Sequence, residues 1–317
     1  MSPSARPEVA IVILTWNQCR LTLECLASLE QMDYPHDRLE VIVVDNASTD
    51  DSVDMVKRLF PKFHLIVNSE NRGFAAANNQ GFELASGKYV LLLNSDTLVH
   101  GDVLLRSMEY LDTNPEVGMM GCKVLNGDGS TQLTCSQFPT FTNLLIQTLG
   151  ANRLGGSFFS SYQMLHWARD DEREVEVISG CYLMVRSQVI GEIGYLDEAF
   201  FCYGEETDWC RRCTEAGWTL KFAPVGTITH FGSGTTKKLN HKRDLMLTEG
   251  TIRLHRKHNG PLSAAMVWML LLIFNCSRSI FWTFRTLLNA NDDISSRARH
   301  FRNVVRQFNR TWPQWAK

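Results

Sequence analysis

The chain has 317 residues, 44% of them hydrophobic and 21% charged, which is enough to bury a substantial core and excludes wholesale disorder. Its formal net charge of −2 conceals a division, because residues 1–236 carry 17 Lys+Arg against 30 Asp+Glu while residues 237–317 carry 15 against 4. A body of net −13 joined to a tail of net +11 directs the tail toward an anionic surface. The nine cysteines are scattered and odd in number, which suits a reducing compartment, and the single Cys210-x-x-Cys213 pair reads as two thiols one helical turn apart. No secretory leader is expected, because the apolar run Val9–Leu14 is short and lacks a basic start. The body is therefore expected in the cytoplasm.

Four short runs rich in Val, Ile and Leu follow at regular intervals: Val9–Leu14, Leu39–Val44, Phe63–Val67 and Tyr89–Leu93. They are nearly continuous rather than alternating, the pattern of strands buried on both faces of a parallel sheet. Helical stretches at roughly 18–31, 50–60, 74–86 and 101–113 separate or follow them. This alternation predicts βαβ units in an open α/β sheet, mainly parallel and twisted, with flanking helices.

Each strand runs into polar residues. These are Thr15-Trp16-Asn17, Asp45-Asn46-Ala47-Ser48, Asn68 with Asn71-Arg72-Gly73, and Asn94-Ser95-Asp96. Ligands of open α/β sheets bind outside the carboxyl ends of the strands, so four such clusters predict one shared crevice. Ser48 or Thr49 is also placed to cap the helix that follows. Residues 126–176 lack periodicity and carry glycine turns and aromatics, the composition of a lid, binding loop or insertion.

A departing diphosphate gains charge, and a divalent cation with oxygen ligands and an imidazole answers that need. Asp96 stands where such a cation belongs. From spacing alone, His230 reads equally as its second ligand or as a hydrogen-bonded loop histidine. Glu205-Glu206-Thr207-Asp208 places three carboxylates within four residues. They suit a helix start, where acids complement the dipole, or a general base with a raised pKa that accepts a proton from an acceptor hydroxyl.

Several strings together resemble the inverting family 2 glycosyltransferases of GT-A fold, in that family's order across about residues 9–232. They are Val12-Ile13-Leu14-Thr15-Trp16-Asn17, Val43-Val44-Asp45-Asn46-Ala47-Ser48, Asn71-Arg72-Gly73-Phe74-Ala75-Ala76-Ala77-Asn78-Asn79, Leu93-Asn94-Ser95-Asp96, the Phe200–Trp209 segment and the late His230. The bacterial rhamnosyltransferase-like branch is the most similar.

The resemblance implies that Thr15, Asn17 and Asp45 hold the pyrimidine and ribose of a dTDP- or UDP-sugar, with Asn71, Gly73 and Asn94 also on the donor side. It implies Asp96 and His230 as ligands of Mg²⁺ or Mn²⁺, Glu206 as base, Glu205 and Asp208 as its support, and Trp209 and Gly180 on the acceptor side. Asn94 stands where the family often has an acid, and Glu205-Glu206 where Glu-Asp is commoner. The implied reaction is a single in-line displacement onto a lipid-linked glycan, with L-rhamnose from dTDP-rhamnose as the candidate sugar. The rival reading is a non-catalytic sugar-nucleotide-binding scaffold at the membrane.

The division in charge sets residues 1–239 as the catalytic domain and 240–317 as a helical membrane-associating extension. Leu262–Cys276 is nearly all apolar, but 15 helical residues reach only about 22 Å against a bilayer core of roughly 30 Å. Extension to Leu288 takes in Arg278 and Arg285 on one face, opposite Met269, Ile273, Cys276, Ile280, Phe284 and Leu287. Arg299, Arg302, Arg306 and Arg310 repeat the theme, with Ile294, Phe301, Val304, Val305 and Phe308 opposite. Both patterns predict helices lying in the interface, peripheral or monotopic, at the cytoplasmic face. A helical pair packed on the body or on a second subunit, as in a homo-oligomer, is the alternative. No nucleic-acid-binding motif accompanies the arginines.

Overall fold

The computed structural model describes residues 8–150, 162–232, 239–288 and 291–312. They fall into two compact units. The first comprises Met1–Gln137, Gln163–Phe201 and Glu205–Gly232; the second comprises Phe138–Tyr162, Cys202–Gly204 and Ser233–Lys317.

The first unit is built on a nine-stranded sheet. Its strands are β1 (Val9–Thr15), β2 (Leu39–Asp45), β3 (His64–Val67), β4 (Tyr89–Asn94), β5 (Thr97–Val99), β6 (Val117–Leu125), β7 (Arg173–Glu174), β8 (Tyr182–Arg186) and β9 (Thr219–His230). Their order is β3-β2-β1-β4-β8-β6-β9-β5, and β7 pairs with β9 outside that path. The four apolar runs form β1 to β4, all parallel, with Thr15 opposite Asp45 and Leu14 opposite Asn94. The rest of the sheet is mixed: β8 is antiparallel to β4 and β6, and β9 runs parallel to β6 but antiparallel to β5.

Alternate residues of β1 face opposite layers, as the two-residue pleat requires. Val9, Ile11 and Ile13 pack with Cys25, Leu26 and Leu29 of α1 (Cys19–Gln31) and with Val103, Leu104 and Leu111 of α4 (Val103–Thr113). Val12 packs in the other layer with Ala75, Ala77 and Phe82 of α3 (Phe74–Leu84) and Trp209, Cys210 and Cys213 of α7 (Glu205–Glu215). The remaining helices in chain order are α2 (Ser52–Leu59), α5 (Phe141–Leu149) and α6 (Ser187–Ile193), of which α5 belongs to the second unit. All nine cysteines are free thiols, and burial holds those of Cys25, Cys135, Cys181 and Cys213 up to about 12.

The segment that lacks periodicity is held partly by a buried arginine. Arg169 is fully buried, and its five N–H groups all donate to backbone carbonyls, those of Thr134, Cys135, Gln163, Met164 and Trp167. Its guanidinium also lies 4.5 Å from the Trp167 ring centroid.

In the second unit, α8 (His241–Leu288) is broken at Gly260, where φ 85 and ψ 174 are open to glycine and Pro261 follows. His255 spans the break: Nδ1 lies 2.9 Å from Ser263 Oγ, and Nε2 lies 2.7 Å from the Pro139 carbonyl. Leu144, Ile252, Ala264, Val267 and Leu270 form its core. Next comes α9 (Asp292–Gln307), capped by the Asn291 side chain accepting from Ile294 N at 2.8 Å. Ile294 is buried, and Val304 and Phe308 pack with Leu245 and Trp268. The apolar side of α9 is thus largely consumed inside the unit, which corrects the reading that set it against a membrane. The outer side of residues 261–288 is different: Leu262, Ile273, Ile280 and Leu287 are all exposed, at 74%, 56%, 72% and 80%. By length and composition, α8 is long and apolar enough to cross a membrane.

Candidate active site

The strand-end clusters become one hydrogen-bonded rim because β1, β2 and β3 end in register. Asn17, at φ 53, receives Thr49 N on its side-chain oxygen at 2.7 Å, and its own N–H donates to Ser48 Oγ at 2.9 Å. Ser48 and Thr49 therefore tie the first loop to the second instead of capping α2, whose Ser52 N–H is taken by Asp50. Asn46, buried, accepts from Arg72 N and donates to Asn71 Oδ1 and to the Gly73 carbonyl, so it organises the third loop. Gly73 has φ 83, and a Cβ there would lie 2.5 Å from the Phe201 carbonyl, which already accepts from Phe74 N.

Asp45 is 1% exposed; Oδ1 accepts from Ser48 N at 3.0 Å, while Oδ2 is buried without a hydrogen-bond partner among the described residues. Such an oxygen costs free energy until a donor arrives. Thr15 differs. It is buried, and its hydroxyl pairs with Thr22 Oγ1 of α1 at 2.6 Å. The side chain anchors a helix, and its carbonyl accepts from Asn46 N at 2.9 Å.

At the end of β4 the chain turns through Asn94, Ser95 and Asp96 into β5, with Thr97 Oγ1 donating to the Asn94 carbonyl at 2.7 Å. β5 pairs with β9 so that Thr97 stands opposite His230, and Phe231 N donates to the Asp96 carbonyl at 2.9 Å. Asp96 Oδ1 and His230 Nε2 are thereby held 3.1 Å apart, both side chains largely buried. Asn94 Nδ2 lies 3.2 Å from the same Nε2, and His230 Nδ1 lies 2.7 Å from Gln132 Oε1. A carboxylate oxygen and an imidazole nitrogen form a donor set that fits Mg²⁺ or Mn²⁺. Among the described residues no group of three or more His, Cys, Asp or Glu gathers that could hold a metal ion by itself.

The acidic cluster opens α7. Glu205 is 3% exposed and Asp208 fully buried, whereas Glu206 is half-buried. Asp208 accepts from Arg212 Nε at 2.9 Å, and Arg212 also donates to the Ile193 and Tyr195 carbonyls. Asp208 therefore braces the helix. Trp209 is wholly buried, donates its indole N–H to the Gly194 carbonyl at 2.9 Å and stacks on Phe82 at 5.3 Å. A side chain without exposed surface cannot line an acceptor site, so the reading of Trp209 as an acceptor contact is corrected to a core role. Gly180 is also buried, and a Cβ there would meet Leu92 at 3.4 Å.

A family model described as "Glycosyl transferase family 2" matches residues 10–189, more than half of the chain. The chain belongs to glycosyl transferase family 2. It is 24% identical over 223 residues to glycosyltransferase AglE of Haloferax volcanii, covering 69% of this chain and just under two thirds (66%) of that relative. It is also 24% identical over 255 residues to an N-acetylglucosaminyl-diphospho-decaprenol L-rhamnosyltransferase of Mycobacterium tuberculosis, covering 73% of this chain and 80% of the relative.

Among solved structures, the mannosyltransferase PcManGT from Pyrobaculum calidifontis, in complex with GDP-Man and Mn²⁺, superimposes with a TM-score of 0.56 at 18% identity, covering 95% of this chain and 86% of its own. S. aureus TarS 1-349 with UDP-GlcNAc gives 0.51 at 16% identity, covering 96% and 82%. These likenesses show the fold: the family 2 chain has the open α/β sheet of GT-A type with flanking helices and a long helical C-terminal extension.

Sequence reasoning passed over Asn46 as a site residue and Gln132 altogether. Asn46 stood inside a quoted motif, but its role emerges only from the loop it gathers. Gln132 lies in the aperiodic stretch, where spacing carries no signal.

Proposed function

We propose that this chain is a glycosyltransferase that moves a sugar from a nucleoside diphosphate donor to a hydroxyl of a glycan acceptor by one inverting displacement. The observation that carries this is the facing pair Asp96 Oδ1 and His230 Nε2, 3.1 Å apart at the end of β4. Asp96 and His230 would hold the divalent cation, which supplies Lewis-acid neutralisation of the charge that gathers on the departing diphosphate. The Mn²⁺ in the PcManGT complex supports the choice of cation.

The chain's own groups do the rest. Asp45 Oδ2 accepts a hydrogen bond from the nucleoside, and Asn17, Asn71, Gly73 and Asn94 shape the donor side around it. Glu206, the most accessible of the three acids in the first turn of α7, takes the proton of the acceptor hydroxyl. As it does so, the acceptor oxygen bonds to the anomeric carbon, the bond from that carbon to the diphosphate oxygen breaks, and the configuration inverts. Glu205 and the Asp208–Arg212 pair hold Glu206 at the helix start, where the dipole favours its charged form.

The name of the mycobacterial relative supports L-rhamnose as the sugar and a polyprenyl-linked glycan as acceptor; the donor we assign is dTDP-rhamnose, with a UDP-sugar as the alternative. A lipid-linked acceptor is met at a membrane surface. The exposed apolar side of residues 261–288 and the tail's net charge of +11 suit the cytoplasmic leaflet, with the helix lying in the interface.

A panel of dTDP- and UDP-sugars with Mg²⁺ or Mn²⁺, scored by released nucleoside diphosphate with and without lipid-linked acceptor, tests the reading. Glu206→Gln should remove turnover and spare donor binding, whereas Asp96→Ala and His230→Ala should each weaken metal-dependent donor binding. Silence of the wild type across the whole panel would favour the non-catalytic scaffold.

A further inference from the structure

Beyond His230 the hydrogen bonds continue through side chains in one direction. Asp128 Oδ1 lies 2.6 Å from Ser130 Oγ. A carboxylate only accepts, so the hydroxyl proton of Ser130 points at Asp128 and its oxygen is left as acceptor. Asn126 Nδ2 donates to that oxygen at 2.9 Å. The Asn126 amide is thereby turned so that its Oδ1 accepts from Gln132 Nε2, again at 2.9 Å. Gln132 Nε2 also points at the His230 carbonyl, 3.4 Å away, so both ends of this amide are assigned. Its Oε1 then faces His230 Nδ1 at 2.7 Å, and that nitrogen must carry the proton.

The turn that holds this chain of bonds is itself locked. Asn126 N donates to the Ser130 carbonyl at 2.8 Å, Gly129 N to the Asn126 carbonyl at 2.9 Å, and Gln132 N to the Val124 carbonyl of β6 at 2.8 Å. Leu125 and Thr131 bridge its base. The strand that feeds the turn is paired with β9, which ends at His230. Turn and imidazole therefore belong to one piece of the sheet.

We infer that Gln132, oriented by Asn126, Ser130 and Asp128, is a positioning residue that fixes the His230 ring and its tautomer. The protonated Nδ1 leaves the Nε2 lone pair on the side where Asp96 Oδ1 lies 3.1 Å and Asn94 Nδ2 3.2 Å away. Partners of this kind behind a ligating histidine orient the ring, and losing them costs about 10–100-fold in metal affinity. The inference rests on the reading of Asp96 and His230 as cation ligands.

The test is a Mn²⁺ titration of the full chain with saturating UDP, following the free-ion electron paramagnetic resonance signal. Gln132→Met keeps the length but removes the acceptor, and should weaken Mn²⁺ binding 10–100-fold. Gln132→Glu restores an acceptor for Nδ1–H and should recover most of that loss. Mn²⁺ binding by Gln132→Met within twofold of wild type, while Asp96→Ala is strongly weakened, would overturn the inference and leave the cation reading intact. Asp96→Ala binding like wild type would bring down both. A second measurement needs no metal: two-bond ¹H–¹⁵N correlation of the His230 ring at pH 8 should show Nδ1 protonated and Nε2 bare. The opposite tautomer would overturn the inference whatever the titration gives.

Discussion

Replacing Gly73 by alanine should injure the protein out of proportion to one methyl group. Two costs act at once. At φ 83 and ψ 178 the backbone lies where only glycine is at ease, and holding another residue there costs about 1–3 kcal/mol. The new Cβ would also sit 2.5 Å from the Phe201 carbonyl oxygen and 2.8 Å from its ring. That carbonyl accepts from Phe74 N at 2.6 Å, so it can retreat only by giving up a hydrogen bond worth about 1 kcal/mol. Together the loss is about 2–4 kcal/mol, and at roughly 1.5 °C per kcal/mol for a chain of 317 residues Tm should fall by about 3–6 °C. Gly101→Ala is the control, because its φ is also positive, at 55, but nothing lies within 4 Å of the added Cβ. Thermal unfolding by circular dichroism reads the difference. UDP titration calorimetry on the folded variant should show weaker binding, since Asn71 and Asn46 both bond to the Gly73 backbone. Equal Tm values for Gly73→Ala and Gly101→Ala would refute this account of the third loop.

Three further outcomes are expected. Arg169→Met strands five backbone carbonyls, three of them in buried hydrogen bonds, and should cost about 3–5 kcal/mol in urea unfolding, and Arg169→Lys should recover little because an ammonium has three donors for those five acceptors. Asp112 is held below the ordinary carboxylate range by hydrogen bonds from Lys88 and from the Tyr89 hydroxyl. A depressed pKa stabilises above the unfolded value near 4, so wild type should exceed Asp112→Asn at pH 6–7 and lose that lead as acid titrates the folded carboxylate. The triple change Ile273→Ser, Ile280→Ser and Phe284→Ser removes exposed apolar groups; at about 1 kcal/mol each it should cut sedimentation with phosphatidylglycerol vesicles roughly 100-fold. Undiminished sedimentation would place the membrane contact elsewhere.

The half of the sheet that is legible in the sequence is the parallel half, β1 to β4, although β3 proves only partly buried. Val9–Leu14 and Tyr89–Leu93 announce themselves as unbroken apolar runs, and each proves one residue longer in the structure. β5 has three residues and no pattern to detect. β9 is long but carries Pro224 near its middle, which reads as a break. The structure accommodates that proline where the register with β6 slips between Gly121 and Lys123, so pairing resumes beyond it as far as His230. Asp96 and His230 were legible as chemistry, but their adjacency depends on the pairing of β5 with β9, which no local pattern encodes. Trp209 was misread for a related reason: a motif fixes which residues are neighbours in sequence and is silent on which one turns into the core.

Joining Asp96 to His230 through the sheet has a further consequence for how such a protein can diversify. The two groups are separated by a long stretch of sequence, yet Thr97 opposite His230 and the Phe231–Asp96 bond make them as close as neighbours on one strand. Changes of length or composition in the irregular segment after Gln132 need not move either of them. On the proposed reading of Asp96 and His230 as cation ligands, variation in that segment is thus insulated from the pair that must keep its geometry.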